Sequence, residues 1–308
     1  YKDTQQALTD SAVQTPYGLL PPIYPGYAPL PLTLSVGPAK PDDLSDELWR
    51  AYLENKSVVI PDDTREPFEQ NLRENTYANY RYYLEMVSSG GLPSEMAQAI
   101  ARLRADRGGV LLGMTRFSGW LDDWPVAEWA KYLLSVDRLS RYWMLLYAHL
   151  AHHQNRDTLT AYEQVRIDGK YRAGDCLPSQ LVAPRMLAWS FAFEFPGDEH
   201  LYLLRGIPSE WYQPGSRFGW ENMPTAAGVI SIQAECEKRS VEVVVDLSSL
   251  NENAKPVIQL NLAEPSKPRD IRKSITVYDG SDFVEKIEDN RVYIRPGKKG
   301  KVRLTIKR

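Results

Sequence analysis

The 308-residue sequence contains only two cysteines, Cys176 and Cys236. Their separation fits neither a metal-binding motif nor a disulfide framework, and we interpret both as reduced, buried thiols. The sequence contains no apolar run of about 18 residues, so it predicts no membrane-spanning helix. The net charge of −3 is too small to indicate a nucleic-acid or membrane-surface partner.

Several catalytic motifs are also missing. There is no Walker sequence, no GxGxxG and no GxSxG, which excludes the usual nucleotide-binding and esterase signatures. His149 and His153 are four residues apart on a predicted helix, a spacing that could hold a metal. HExxH is absent, however, no third ligand is apparent, and histidines at a helix C-terminus also complement its dipole. We therefore predict no metal and no cofactor.

Hydrophobic periodicity divides the chain into three segments. Eight prolines between Pro16 and Pro41 predict an extended arm over residues 1–41. Residues 42–196 show apolar spacing of i, i+3 and i+4, which predicts a helical domain. From residue 197 to 308 the period changes to two, and the basic residues there alternate with apolar ones. This alternation favours a β-sandwich with solvated strand faces rather than a nucleic-acid site. The predicted helices cover residues 42–55, 68–87, 94–107, 126–134, 136–153 and 178–195.

Five sequence segments carry a resemblance to a known family. They are GMTRFSGWLDDWPVAEWAKYLL, TAYEQV, AGDCLPSQLVAPRMLAW, LYLLRGIPSEWYQPG and ENMPTAAGVISIQ. Together they resemble the C-terminal half of bacterial six-hairpin, or (α/α)-toroid, glycoside hydrolase-like proteins, over most of residues 110–308. The resemblance implies an α+β multidomain chain, in which a partial toroid is followed by an antiparallel β-sandwich. It also favours a periplasmic or secreted location over a cytoplasmic one.

The helical segment is too short for a closed toroid. At the usual helix length, residues 42–196 supply about half the helices of such a ring. We therefore expect an apolar face that is covered by a missing N-terminal half or by a second chain.

Glycoside hydrolysis usually requires two carboxyl groups that flank the scissile bond. Glu163 lies beside Tyr162 in an apolar setting, where a raised pKa would suit a general acid. Asp175 and Asp122 are the other catalytic candidates, and we expect at least two of the three to line one pocket. Simpler alternatives exist: a surface position for Glu163, helix capping by Asp122 or Asp123, and a helix-dipole role for Asp175.

Further side chains are expected to bind an oligo- or polysaccharide. They are Asp123, Trp120, Trp124, Tyr162, Arg116 and Arg172. Asp123 would accept hydrogen bonds from sugar hydroxyls, the aromatic rings would stack on sugar faces, and the arginines would bind a uronate carboxylate. Ordinary surface arginines are the alternative for that last pair.

These residues indicate a protein that hydrolyses a glycosidic bond with paired carboxylates. A polysaccharide lyase is the second interpretation, because a tyrosine of the helix predicted at 68–87, or a histidine near the end of the helix predicted at 136–153, could act as its catalytic base. A non-catalytic glycan-binding or structural subunit is the third.

Overall fold

The computed structural model describes residues 2–15, 17–21, 84–106, 110–117, 120–123, 125–166, 169–172, 174–262 and 274–307. Most of the proline-rich arm, the helix predicted at 42–55 and nearly all of that at 68–87 lie outside these residues. The chain forms two compact units. The first, here the N-terminal unit, comprises Tyr1–Tyr132 and Met144–Ala183, and the C-terminal unit comprises Leu133–Trp143 and Pro184–Arg308. The boundary expected near residue 196 stays a prediction.

Most of the described helices follow the apolar periodicity of the sequence, but the first lies within residues 1–41, for which an extended arm is predicted. The described helices are α1 (Lys2–Ser11), α2 (Ser94–Asp106), α3 (Val126–Ser135), α4 (Leu139–His152) and α5 (Leu177–Phe191). Along α4 the buried positions recur at helical spacing, for example Tyr142, Leu146 and His149. Within the described residues no helix is long and apolar enough to cross a membrane.

The N-terminal unit contains a two-stranded and a five-stranded antiparallel sheet. The small sheet pairs β1 (Val13–Thr15) with β2 (Gly18–Leu20). The larger sheet has its strands in chain order: β3 (Val110–Leu111), β4 (Met114–Phe117), β5 (Trp120–Asp122), β6 (Gln164–Val165) and β7 (Tyr171–Arg172). Helices α3 and α4 lie between β5 and β6 in the chain. Strands β5 and β6 are therefore neighbours in the sheet although they are distant in the sequence.

A two-residue turn joins β3 to β4. Leu112 and Gly113 both have positive φ angles, 51° and 81°, as a type I′ hairpin turn requires. A Cβ on Gly113 would lie 3.0 Å from both Met144 and Ala148, so the turn packs closely against α4. Glycine therefore meets both the backbone and the packing requirement at this position.

The C-terminal unit consists mainly of two five-stranded sheets. Its strands are β8 (Ala192–Glu194), β9 (His200–Leu203), β10 (Arg217–Thr225), β11 (Gly228–Cys236), β12 (Ser240–Leu250), β13 (Lys255–Gln259), β14 (Ile275–Asp279), β15 (Val284–Glu288), β16 (Arg291–Ile294) and β17 (Lys301–Lys307). One sheet has the order β10-β11-β12-β17-β14 and the other β15-β16-β13-β9-β8. All neighbours pair antiparallel except β9 and β13.

Alternating side chains from both sheets form the core of this unit. Val241, Val243 and Val245 of β12 are completely buried, and they share one hydrophobic cluster with Ile258 of β13 in the other sheet. Burial of each such side chain contributes about 1.5–3 kcal/mol. The β-sandwich-like arrangement predicted from the period of two is therefore confirmed.

A polar cluster joins the α3–α4 turn to the strands of this unit. Asp137 in the turn accepts hydrogen bonds from Arg205 Nε at 3.0 Å and from an Arg291 terminal nitrogen at 2.7 Å. The Arg205 side chain is only 5% exposed, whereas Asp137 is 42% exposed. Gly206, the next residue after Arg205, lies so close to the backbone of α5 that an added Cβ would be 2.4 Å from Ser190 Cα.

The predicted half-toroid is wrong for the part of the chain that the structure describes. Strands β3 to β5 separate α2 from α3, and strands β6 and β7 separate α4 from α5, so these helices do not follow one another as a ring of hairpins. The described chain is instead rich in β-structure. The strands concerned have two to four residues, which is too short for alternation to distinguish them from loops. The prediction of a covering half or second chain is not tested.

Candidate functional site

Asp123 and Glu163 lie opposite each other just beyond the paired residues of β5 and β6. Asp122 pairs with Gln164 in the antiparallel ladder, and the backbone N–H of Asp123 donates to the carbonyl oxygen of Glu163 at 3.1 Å. Asp123 and Glu163 are thus directly opposite, a position in which Cβ atoms are about 4.5–5.5 Å apart. Residues directly opposite each other in an antiparallel pair point to the same side, so Asp123 and Glu163 share one face of the sheet.

Asp123 is in an environment that favours its protonated form. Its residue exposure is 2%, and neither carboxyl oxygen has a hydrogen-bond partner among the described residues. Burial, followed by repulsion from Asp122 and from Glu163, raises the pKa of Asp123 from 3.8 to about 8. The dipole of its own backbone N–H favours the charged carboxylate and so partly opposes the rise in pKa. At neutral pH the side chain is therefore a neutral acid that keeps its proton.

The structure also bears on the capping alternative for this aspartate. The carbonyl oxygen of Asp123 accepts from the N–H of Val126 at 3.0 Å, at the start of α3. The Asp123 side chain makes no such bond within the described residues. The backbone, not the carboxyl group, therefore satisfies this N–H.

The peptide group that precedes Glu163 is held by two helices. Its carbonyl oxygen, which belongs to Tyr162, accepts hydrogen bonds from His153 Nδ1 and from Ser179 Oγ, both at 2.8 Å. The Tyr162 N–H donates in return to the carbonyl of His153 at 2.8 Å. Glu163 thus follows a backbone segment that is tied both to the C-terminal end of α4 and to α5.

His149 and His153 are completely buried and neutral. Their rings stack with centroids 5.4 Å apart, and each donates one ring N–H to a backbone carbonyl, of Ser179 and of Tyr162 respectively. Burial is the main cause that lowers the pKa of His149 to about 3 and that of His153 to about 4. Among the described residues, no three His, Cys, Asp or Glu side chains form a group that could hold a metal ion.

An aromatic pair lies beside the carboxyl groups. Tyr162 and Tyr171 stack with ring centroids 4.0 Å apart, and the Tyr162 hydroxyl accepts a hydrogen bond from Asn155 Nδ2 at 2.7 Å. Tyr171 is 58% exposed, whereas Tyr162 is half-buried. Trp120 is also half-buried, and the guanidinium of Arg166 lies 5.5 Å from its ring centroid.

The remaining predicted residues that the structure describes lie on β4, on β7 and in a turn. Asp175 is exposed in a turn with a φ of 59°. Arg116 lies on β4 opposite Leu121, Arg172 lies on β7 opposite Gln164, and Trp124 is outside the described residues. Whether any of the six polar and aromatic candidates binds substrate stays a prediction.

Cys176 is a neighbour of the carboxyl pair that sequence reasoning did not place there. After burial, the charges of Asp123 and Glu163 are among the causes that raise its pKa. Its N–H donates to the carbonyl of Ala161 at 2.9 Å, which brings the start of α5 next to the segment that leads into β6. Its position directly after Asp175 was the only signal available in the sequence.

No family model and no curated protein matches this chain. Among solved structures, the chain is similar to the Streptomyces avermitilis α-L-rhamnosidase complexed with L-rhamnose, with a TM-score of 0.41 and 12% identity over 84% of this chain. It is also similar to the α-L-rhamnosidase from Dictyoglumus thermophilum, with a TM-score of 0.39 and 9% identity over 74% of this chain. The chain spans 25% of the length of each. Both neighbours are glycoside hydrolases.

Proposed function

We propose that the N-terminal unit carries the acid–base site of a glycoside hydrolase, formed by Asp123 and Glu163. The observation that supports this proposal is the cross-strand carboxyl pair, in which the more buried member holds a proton at neutral pH. A carboxylic acid kept neutral in a dry environment next to a second carboxyl group is the arrangement that glycosidases use.

The two members of the pair have different roles in this proposal. Asp123 donates its proton to the glycosidic oxygen as the bond to the leaving group breaks. Glu163, the more exposed of the two, either attacks the anomeric carbon or removes a proton from the attacking water. The negative charge of Asp122 helps to keep Asp123 protonated before the reaction. These roles differ from the sequence-based expectation, in which Glu163 was the acid.

Substitution of each carboxyl group by its amide tests the proposal. We expect Asp123→Asn and Glu163→Gln each to lower turnover about 10²–10⁴-fold, the usual contribution of acid–base catalysis. The measurement is nitrophenol release from a panel of aryl glycosides that includes an α-L-rhamnoside, with circular dichroism to verify folding. Asp157→Asn is the matched control, because Asp157 is an exposed aspartate of the same unit. Full activity of both amide variants, or hydrolysis of no glycoside by the wild-type chain, would refute the proposal.

A lyase is the second candidate, supported by the contact between Tyr162 and Asn155. A phenol next to an amide could remove a proton from a uronate whose carboxylate is neutralised nearby. However, Asn155 Oδ1 already accepts from the N–H groups of Asp157 and Thr158, which gives Asn155 a role in its own turn. The absorbance of an unsaturated uronate product, and its loss in Tyr162→Phe, would support the lyase over the hydrolase.

A further inference from the structure

We propose that His153 and Ser179 are positioning residues of the candidate site, because together they hold the peptide group that directly precedes Glu163. The inference rests on the proposed function and adds to the same site two residues that act through the backbone of Glu163. Neither side chain is a member of the carboxyl pair. We call His153 and Ser179 the donor pair.

The backbone of Glu163 is held on both sides of its Cα. In the preceding peptide group, the carbonyl oxygen of Tyr162 accepts hydrogen bonds from His153 Nδ1 and from Ser179 Oγ. In the following peptide group, the carbonyl oxygen of Glu163 accepts from the N–H of Asp123. With both peptide groups fixed, the Glu163 carboxylate can change its position mainly by rotation about its side-chain bonds.

Strand β6 is short, and Glu163 lies just outside it. The strand contains only Gln164 and Val165, each of which pairs with one residue of β5 and one of β7. A ladder of this length provides few hydrogen bonds to hold the residue that precedes it. The two hydrogen bonds of the donor pair come from outside the sheet, and they fix the backbone where β6 begins.

The donor pair is buried and belongs to a wider hydrogen-bonded network. His153 and Ser179 are completely buried, so water does not compete for the carbonyl oxygen of Tyr162. A carbonyl oxygen has two lone pairs, and the two donors occupy both. The Tyr162 N–H donates to the carbonyl of His153, and His149 Nε2 donates to the carbonyl of Ser179 at 3.1 Å. The end of α4 and the start of α5 are thus joined to each other as well as to Tyr162.

His153 keeps one protonation state across the neutral pH range. Its Nδ1 carries the proton, because a carbonyl oxygen can only accept. Its Nε2 is buried and has no hydrogen-bond partner among the described residues, so a second proton there would be unsatisfied. Burial accordingly lowers the pKa of His153 to about 4, whereas the pKa of Asp123 is about 8. The donor pair therefore keeps its hydrogen bonds while the charge of Asp123 changes.

Ser179→Ala tests the donor pair, and Ser190→Ala is its matched control. Both serines lie on α5, both are completely buried, and each hydroxyl donates to a backbone carbonyl. On the aryl glycoside that the wild type hydrolyses, we expect Ser179→Ala to lower kcat about 10–100-fold with KM nearly unchanged, because a displaced carboxylate reacts more slowly. Ser190→Ala should retain the wild-type kcat, and thermal melts verify that both variants fold. Wild-type kcat in Ser179→Ala, or an equal loss in Ser190→Ala, would overturn the inference.

The combination with Glu163→Gln separates positioning from a general structural effect. If the donor pair acts through the Glu163 carboxylate, Ser179→Ala should cause no further loss of kcat when Glu163→Gln is already present. A further loss of the same size as in the wild-type background would mean that Ser179 supports activity in another way. The positioning role would then be wrong.

His153→Asn and His153→Leu distinguish the donated hydrogen bond from packing. The Asn side chain can place an N–H near the position of Nδ1, whereas Leu fills more of the imidazole volume but donates nothing. We expect His153→Asn to keep kcat within about 3-fold of the wild type, and His153→Leu to lose about as much as Ser179→Ala. If the Leu variant is the more active of the two, His153 acts by packing, which contradicts the inference.

Hydrogen exchange at the backbone N–H of Asp123 gives a result that requires no turnover. This N–H donates to Glu163, so Ser179→Ala should speed its exchange about 2–10-fold, and Ser190→Ala should leave it unchanged. If exchange changes in this way but the wild type hydrolyses no glycoside, the donor pair holds Glu163 and the proposed function is wrong. If Glu163→Gln is inactive while Ser179→Ala has wild-type kcat and exchange, the acid–base site stands and the donor pair has no positioning role.

Discussion

The buried proton on Asp123 makes the stability of the folded chain depend on pH in an unusual direction. The pKa of Asp123 is about 8 in the folded state, against 3.8 as its ordinary value. Between these two values the folded state binds more protons than the unfolded state, so a rise in pH favours unfolding. The stabilisation is complete below about pH 4 and is lost as the pH rises through about 8. Asp123→Asn removes the titrating group with almost no change in shape.

The buried histidines act in the opposite direction over a lower range. The folded-state pKa values of His149 and His153 are about 3 and about 4, against the ordinary 6.5. Between pH 4 and 6.5 the unfolded state binds the extra protons, so their contribution to stability rises with pH and is complete only above about pH 7.5. Above that pH, Asp123 is the member of this set that still titrates.

Between pH 6.5 and 8, the comparison of the wild type with Asp123→Asn isolates the contribution of Asp123. A single group changes the free energy of unfolding by about 1.4 kcal/mol per pH unit within its window. Because the upper end of the window coincides with the folded-state pKa, the loss expected from Asp123 is about 1.5–2 kcal/mol. The two histidines, half protonated in the unfolded state at pH 6.5, offset about 0.8 kcal/mol of this loss in the wild type. The amide that Asp123→Asn introduces does not titrate, so this variant should show only the small gain from the histidines.

Urea denaturation of the full chain at pH 6.5 and pH 8 measures both values, with tryptophan fluorescence as the signal. Trp129 in α3 is buried in the same unit, which makes the signal sensitive to unfolding there. The exposed-site variant Asp157→Asn should show the wild-type loss. If the wild type is equally stable at both pH values, or if Asp123→Asn loses as much as the wild type, then Asp123 does not hold a buried proton.

Two further predictions concern the C-terminal unit. Gly206→Ala should lower the free energy of unfolding by about 1–3 kcal/mol, because the new Cβ would lie 2.4 Å from Ser190 Cα. Urea denaturation measures this loss. Gly174→Ala is the control and should show no such loss, because the nearest atom to its new Cβ is 3.8 Å away. Asp137→Ala should cost about 1–3 kcal/mol, because it leaves the nearly buried Arg205 without its carboxylate. In a double-mutant cycle with Arg205→Met, additive losses would contradict that pairing.

Local patterns in the sequence predicted the long elements well. Apolar spacing located α2 to α5 to within a few residues, although α5 ends at Phe191 because Ala192–Glu194 continues as a strand. Alternation located β12 and β17, because each buries one face, and it also located β13, although four consecutive residues of that strand are buried. The strands of the five-stranded sheet in the N-terminal unit have two to four residues, and nothing in so short a segment distinguishes a strand from a loop. The toroid was expected from the family resemblance, and no predicted strand in residues 42–196 contradicted it.

In the candidate site, the sequence likewise predicted some of the residues but not how they pair. Acidic residues beside aromatic ones drew attention to Asp122, Asp123 and Glu163 in the sequence. Asp175, which was proposed from the resemblance and its position before α5, is exposed in a turn. The sequence provided no reason to pair Asp123 with Glu163, because β5 and β6 are separated by two helices.

The local amino-acid pattern is sufficient to predict helices α2 to α5, the main strands of the sandwich core and the residues that could act as acids. These properties depend on side chains within a few positions of one another, and hydrophobic periodicity records them directly. Tertiary contacts, by contrast, set which carboxyl group is buried, which one opposes it, and that Tyr171 stacks on Tyr162. Desolvation and repulsion depend on the distance in space between residues that are remote in the chain, and the pairing of β5 with β6 sets that distance.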